Sequence, residues 1–221
     1  MLPRVLEPEV MDSDIEAHAY DAMDHTDVNR VFVADFLAIY TGAGPVLDVG
    51  TGTAQIPIEL CRQHPTIRVT AIDAAATMLE LARVNIEQAG FADRITVQLV
   101  DAKRLPFPDA SFSAVMSNSI VHHIPEPRTA LAEMARVAKT VLFVRDLLRP
   151  NDDKTVHALV ERYAAGANDY QRALFDASLR AAFSLEEIRE IADALGFDRD
   201  AVQRTTDRHW TWSTCRVPCR G

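Results

Sequence analysis

Short apolar runs rich in β-branched residues alternate along this chain with longer stretches whose apolar positions recur every three or four residues. The runs fall at Pro45–Val49, Ile67–Ile72, Ile95–Val100, Ser113–Ser117 and Val141–Arg145, and each predicts a strand. The helical period appears in Ala54–Gln63, Ala75–Gln88 and Arg128–Ala138. Met78, Leu79, Ala82, Ile86 and Ala89 make one stripe of the middle segment, and Gly90 is placed to end it as a C-cap. Strands separated by helix-length connections pair in parallel, because a parallel crossover takes a dozen or more residues. Right-handed crossovers then put helices on both faces of the sheet, so the expected class is α/β.

Both ends break this rhythm. Residues 14–41 predict two helices, the second with Val28, Val31, Phe32, Phe36 and Ile39 on its apolar face and Asp35 turned toward solvent. From Leu147 to Ala182 no strand is expected, only two helices broken near Gly166–Asn168. Ser184 followed by Glu187 forms a capping box for a helix over 185–195, which Gly196 ends. Phe197–Val202 and Arg208–Thr214, with alternating tryptophans, predict a closing antiparallel hairpin. No repeat or low-complexity linker is visible, and one domain over 1–221 is expected.

Composition narrows the class of partner. Of 221 residues, 48% are apolar, ample for a core. The 32 acids against 23 bases leave a net charge of −9, the wrong sign for a sequence-independent grip on phosphates, so no nucleic acid partner is expected. The longest stretch without charge, Ala110–Pro125, contains four Ser, one Asn and two His and does not read as a membrane span. The first fourteen residues carry four acids and two prolines where a signal peptide has its apolar core. Three cysteines do not make a disulfide framework. Cys215 and Cys219 lack a companion cluster at zinc spacing and read as incidental thiols of a mobile tail. The expectation is a cytoplasmic chain with no membrane contact and no bound metal.

The most informative stretch is Val46-Leu47-Asp48-Val49-Gly50-Thr51-Gly52-Thr53-Ala54. An apolar strand runs into a Gly-x-Gly turn and then a helix, whose N-terminus offers free N–H groups. Gln55 stands where a dinucleotide fingerprint has its last glycine, and the Gly-Lys-Ser/Thr of a P-loop is missing. Asp48 beside the turn would repel a pyrophosphate but attract an ammonium or sulfonium. Asp73 ends the next strand, where a carboxylate accepts both hydroxyl protons of a ribose. Asp101 ends the third, and its carboxylate with the N–H of Ala102 can meet an adenine edge. Acids that follow strands also serve simply to cap helices. Three of them at consecutive strand ends, the first beside a Gly-x-Gly turn, favour a ligand crevice at the carboxyl edge of the sheet.

These residues resemble the class I S-adenosylmethionine-dependent methyltransferases, in particular their small-molecule branch. The resemblance covers residues 14–146 and rests on the loop Val46–Ala54, on Asp73 and on Asp101–Ala102. Leu105–Phe112 and the loop from Ser117 through Ile124 extend it. It implies a Rossmann-like, seven-stranded, mostly parallel sheet with an antiparallel last strand, and S-adenosyl-L-methionine as cofactor. The implied cofactor contacts are Asp48, Gly50, Thr51, Gly52, Asp73, Ala74, Met78, Asp101, Ala102, Asn118 and Tyr20; Met78 either packs on the adenine or belongs to the core. Residues 14–41 would form a helical cap and 147–182 an insertion over the acceptor site. Ala54 replaces the third glycine of the loop pattern, a change the start of a helix should tolerate.

Methyl transfer from a sulfonium is an in-line displacement, for which a protein supplies orientation, a dry pocket and, in some enzymes, a base. His122 and His123 are the base candidates, either of which alternatively packs or positions its loop. Asp146 orients a histidine, binds a cation or pairs with Arg145, and Arg145 is also suited to an anionic acceptor. The expected activity is methylation of a small-molecule acceptor. A non-catalytic cofactor-binding scaffold and a nucleic-acid methyltransferase are the alternatives. The acceptor, the methylated atom and the oligomeric state are not written in the residues.

Overall fold

Strand β1 (Val46–Val49) is buried at every position because it lies between two parallel neighbours. Its Val46 pairs with Val69 of β2 (Val69–Asp73) on one side and with Ala114 of β4 (Phe112–Asn118) on the other. Strand β3 (Ile95–Leu99) extends the sheet beyond β2, with Asp73 opposite Leu99. Together with β5 (Ala138–Leu147), β6 (Val202–Arg204) and β7 (His209–Cys215), the order is β3-β2-β1-β4-β5-β7-β6. The sheet is mostly parallel, and β7 runs antiparallel to β6 with Val202 opposite Trp212. The expected class and the antiparallel closing strand are both present. This computed structural model describes residues 1–8, 17, 18, 21, 25–42 and 44–215.

Two compact units make up the chain. The one carrying the parallel strands comprises Val10–Asn118, Thr129–Val144 and Ser213–Gly221. Its helices α1 (Thr26–Ile39), α2 (Gln55–Gln63), α3 (Ala76–Gln88) and α4 (Arg128–Val137) reproduce the periodicity of the sequence within a few residues. Gly90 ends α3 at a φ of 75°, the left-handed geometry expected of a C-cap. The apolar face of α1 departs from expectation. Phe32, Val33 and Phe36 are buried, whereas Val28 and Val31 are 37% and 54% exposed. The ring row decides the rotation. Phe32 and Phe36 both meet Phe143 edge-on, and Tyr40 continues the row by stacking on Phe36 and donating its hydroxyl to the Gly44 carbonyl. Asp35 is exposed, as the pattern implied.

The other unit comprises Met1–Glu9, Ser119–Arg128 and Arg145–Trp212. Helices α5 (Asp153–Tyr163) and α6 (Asp169–Ala181) fill the stretch where no strand was expected, and their break falls at the predicted place. Val156, Leu159, Val160, Leu179 and Ala182 form their shared core. Helix α7 (Leu185–Ala194) starts with the Ser184–Glu187 capping box. Trp210 and Trp212 are fully buried. Cys215 is the last residue of β7 and donates its thiol to the Ile39 carbonyl, so it is not part of a tail; Cys219 lies outside the described residues.

Candidate functional site

Parallel pairing aligns the carboxyl ends of the first four strands. In register, Val49 stands beside Ile72 and Ser117, and Ile72 beside Gln98. Asp73, Asp101 and Asn118 therefore follow at one edge of the sheet, together with the turn after β1. Gly50 and Gly52 adopt φ of 73° and 54°, a region that a side chain makes costly. The turn is tied to β2 by two amides, Gly50 N–H and Thr51 N–H, which both donate to the Ile72 carbonyl at 2.8 and 2.9 Å. Asp73 braces the same loop. Its Oδ2 accepts from Gly52 N–H at 2.8 Å and its Oδ1 from Ala75 N–H at 2.9 Å.

Ala54 sits at φ 64° directly before α2. The helix start accommodates the alanine, but at a strained backbone. The third loop position also requires left-handed backbone, so the methyl is held against a conformational penalty of about 1–2 kcal/mol by full burial in the core. Asn85 of α3 is a functional-looking residue that sequence reasoning missed. Its amide donates to the Thr53 carbonyl (3.1 Å) and to Asp21 Oδ1 (2.9 Å), which also receives Gln55 Nε2. The signal available was a polar side chain adjoining the buried stripe of Ala82 and Ile86.

Asp48 is 2% exposed, and its Oδ2 has no hydrogen-bond partner among the described residues. Burial pushes its carboxyl up to about 7; the Thr51 hydroxyl opposes the shift and the charge of Asp73 adds to it. A buried carboxylate without a cation is costly, so this residue fits a positively charged ligand group on the structure's own terms. Asp101 is different: its side chain is half exposed, accepts from Lys103 N–H at 2.9 Å and pairs with Lys103 Nζ. Ala102 is half-buried and Ala74 exposed beside it on the same edge. Met78 is buried against Ala17 and Ala75, a core position of the kind its stripe implied. Asn118 is half-buried at the end of β4, next to Ser117, whose hydroxyl donates to the Val49 carbonyl. Tyr20 lies outside the described residues.

In the other unit a short 3₁₀ turn, Val121–His123, carries the two histidines. Asp146 orients His122: its Oδ1 lies 2.5 Å from His122 Nδ1, and the carboxylate also accepts the backbone N–H groups of Val121, His122 and Leu147. Burial alone would raise the Asp146 carboxyl, but the His122 charge and these hydrogen bonds hold it below the ordinary range. The same pairing overcomes desolvation at His122 and raises that imidazole. His123, tilted against His122 at a ring distance of 4.3 Å, is lowered by burial and by its neighbour's charge to about 4. Of the alternatives for Asp146, the structure places it on a histidine. Arg145 donates to Thr211 Oγ1 at 2.9 Å.

Sequence reasoning overlooked the chain's first residues. Glu7 Oε1 stands 3.4 Å from His122 Nε2 and 3.2 Å from His123 Nδ1. Arg4 holds this segment in place by donating to the carbonyls of His122, Ile124, Pro125 and Ala181, with its guanidinium over the Phe183 ring. No local motif announces either residue, because every partner is more than a hundred positions away.

Residues 46–140 match a family model described as a methyltransferase domain. A ubiquinone/menaquinone biosynthesis C-methyltransferase of Citrifermentans bemidjiense is 36% identical over 99 residues, which are 44% of this chain and 42% of that protein. A phosphatidylethanolamine N-methyltransferase of Cereibacter sphaeroides is 36% identical over 125 residues, 55% of this chain and 59% of that one. The matched stretch thus spans about two fifths to three fifths of these relatives. In fold, the chain resembles a SAM-dependent methyltransferase from Aquifex aeolicus, with a TM-score of 0.67 at 19% identity, over 93% of this chain and 99% of that one. The glycine loop, the braced Asp73 and the buried Asp48 all lie within the residues that match the methyltransferase domain.

Proposed function

We propose that this chain transfers a methyl group from S-adenosylmethionine to a small-molecule acceptor by in-line displacement. The observation that carries the reading is Asp48: a buried carboxylate, one oxygen of which has no hydrogen-bond partner among the described residues, next to a glycine turn, calls for a cation rather than a phosphate. Asp48 would hold the positively charged end of the cofactor. Gly50, Thr51 and Gly52 would let the cofactor come close to the backbone, and Asp73, at the end of β2 on the same edge, would accept the ribose hydroxyls. Asp101 and Ala102, with Ala74, would meet the adenine, and Met78 would pack beneath it. Tyr20 and Asn118 would close on the methionine end. Once bound, the sulfonium supplies the electrophile, so the protein's task is alignment and exclusion of water.

The catalytic group is assigned to His122, His123 and Asp146. Asp146 orients His122 through Nδ1, and these imidazoles would accept a proton shed by the methyl acceptor. One relative is a C-methyltransferase of ubiquinone/menaquinone biosynthesis and the other a phosphatidylethanolamine N-methyltransferase, which supports an organic acceptor rather than a nucleic acid, as does the net charge of −9. We keep the cytoplasm as the working compartment on the low cysteine count; among the described residues no helix is long and apolar enough to cross a membrane. Calorimetric titration with S-adenosylmethionine, followed by a screen of metabolite extract with labelled methyl donor, tests the proposal. Saturable binding and label transfer are expected; binding without transfer to any acceptor would leave a scaffold, and tight nicotinamide binding instead would end the reading.

A further inference from the structure

Glu7, His122 and His123 bring three electron-pair donors close together. We propose that Glu7 Oε1, His122 Nε2 and His123 Nδ1 form a binding site for a borderline divalent transition ion of the zinc class. One ligand atom from each of the three residues lies within 4.8 Å of the other two. A tetrahedral ion with ligands at about 2.1 Å spaces them about 3.4 Å apart; the two Glu7 edges measure 3.4 and 3.2 Å. Glu7 Oε1 has no hydrogen-bond partner among the described residues although its side chain is 10% exposed. The nearby imidazole nitrogens therefore approach it at ligand spacing without hydrogen-bond geometry.

The support behind these atoms is what a metal site requires. His122 commits Nδ1 to Asp146, which leaves Nε2 free to ligate, the carboxylate–histidine–metal arrangement that fixes ring and tautomer. Glu7 Oε2 is held by the Ser178 hydroxyl at 3.2 Å, and Arg4 fastens the Glu7 segment to the carbonyls of the histidine turn. Both halves of the site thus ride on one scaffold. Two imidazoles and a carboxylate suit zinc or ferrous iron better than calcium or magnesium, which favour all-oxygen shells. Three protein ligands leave a position open for water or for an acceptor oxygen, where a bound ion acts as a Lewis acid. The rival is Pro8: its carbonyl lies 3.3 Å from His123 Nδ1, and a proton on that nitrogen would close the site. The expectation of no metal was drawn from cysteine spacing, which is blind to a ligand at the other end of the chain.

The test uses tag-free full-length protein stripped with chelator, titrated with Zn²⁺ by calorimetry and with Co²⁺ by visible absorption. One equivalent should bind, with a cobalt band of four- or five-coordinate intensity. Glu7→Gln and His122→Ala should each weaken binding by more than about tenfold, and Asp146→Asn by about 10–100-fold. His157→Ala, on an exposed position of α5, should change nothing. Absence of one-equivalent binding overturns the site, as does binding that Glu7→Gln and His122→Ala leave intact. Should His122→Ala not fold, the near-isosteric Glu7→Gln and the wild-type cobalt spectrum still decide. The site goes beyond the methyl-transfer reading: metal bound without cofactor affinity would end that reading alone, and cofactor bound without metal would end this one alone.

Discussion

Replacing Asp48 with asparagine should stabilise the cofactor-free protein and weaken its grip on the cofactor, and the stabilisation should depend on pH. The carboxyl has an ordinary value of 3.8 and is pushed to about 7 by burial, with the charge of Asp73 adding and the Thr51 hydroxyl opposing. Between those two values the native chain holds one proton that the unfolded chain has lost. Stability conferred by the protonated group is full below about pH 4 and drains away as pH rises, by about 1.4 kcal/mol per pH unit. It is exhausted near pH 7, where the native carboxyl also ionises, for a total of about 4 kcal/mol. Asparagine has the same shape and no proton to lose. Urea denaturation of both proteins without cofactor, from about pH 5 to about pH 8, isolates the effect as a difference. The variant's advantage should widen across this range and then level off, at about 2–4 kcal/mol once the altered Thr51 contact is allowed for. Saturating S-adenosylmethionine should flatten the wild-type slope, since a cation beside the carboxylate draws its titration back down. A difference that stays constant with pH would refute the picture of a buried, uncompensated carboxylate.

Asp73→Ala removes the acceptor of two backbone N–H groups and, on the proposed reading, a ribose contact. Melting temperature and cofactor affinity should fall together, the latter by about 1–3 kcal/mol, and an unchanged dissociation constant would contradict the ribose assignment. Gly52→Ala should destabilise by about 1–2 kcal/mol at its φ of 54°. Ala54→Gly relieves a similar strain but sacrifices a buried methyl and restores chain freedom, about 0.8 and 0.5–1 kcal/mol respectively, so thermal denaturation should place it within about 1 kcal/mol of wild type. Arg4→Ala strips four carbonyls of their donor. Limited proteolysis should then cut the first residues sooner, and Arg4→Lys should not restore protection because an ammonium lacks the planar fork.

What could be read from the sequence divides along a physical line. Periodicity, caps and turn glycines are local, and they placed β1 to β5, the capping box at Ser184 and the break between α5 and α6 because each is decided by neighbours in the chain. The rotation of α1 was not local: Val28 and Val31 look as apolar as Val33, and only the ring of Phe143, contributed from β5, selects the face that Phe32 and Phe36 present. Ala54 shows the same limit in the backbone. Its residue type argues for an ordinary helix start, while the loop geometry shared with Gly50 and Gly52 imposes a left-handed φ that burial of its methyl must offset. Polar networks are the extreme case. Asp146 was placed among candidates by its position at a strand end, yet which partner it would take depended on the histidine turn. Glu7 and Arg4 carried no local signal at all. A carboxylate near a chain start reads as solvated surface until something holds it down, and here that anchor is an arginine three residues earlier whose donors are spent on backbone carbonyls of the histidine turn. Those carbonyls are invisible to any side-chain motif, so the residues most dependent on the fold are the ones a motif reading passes over.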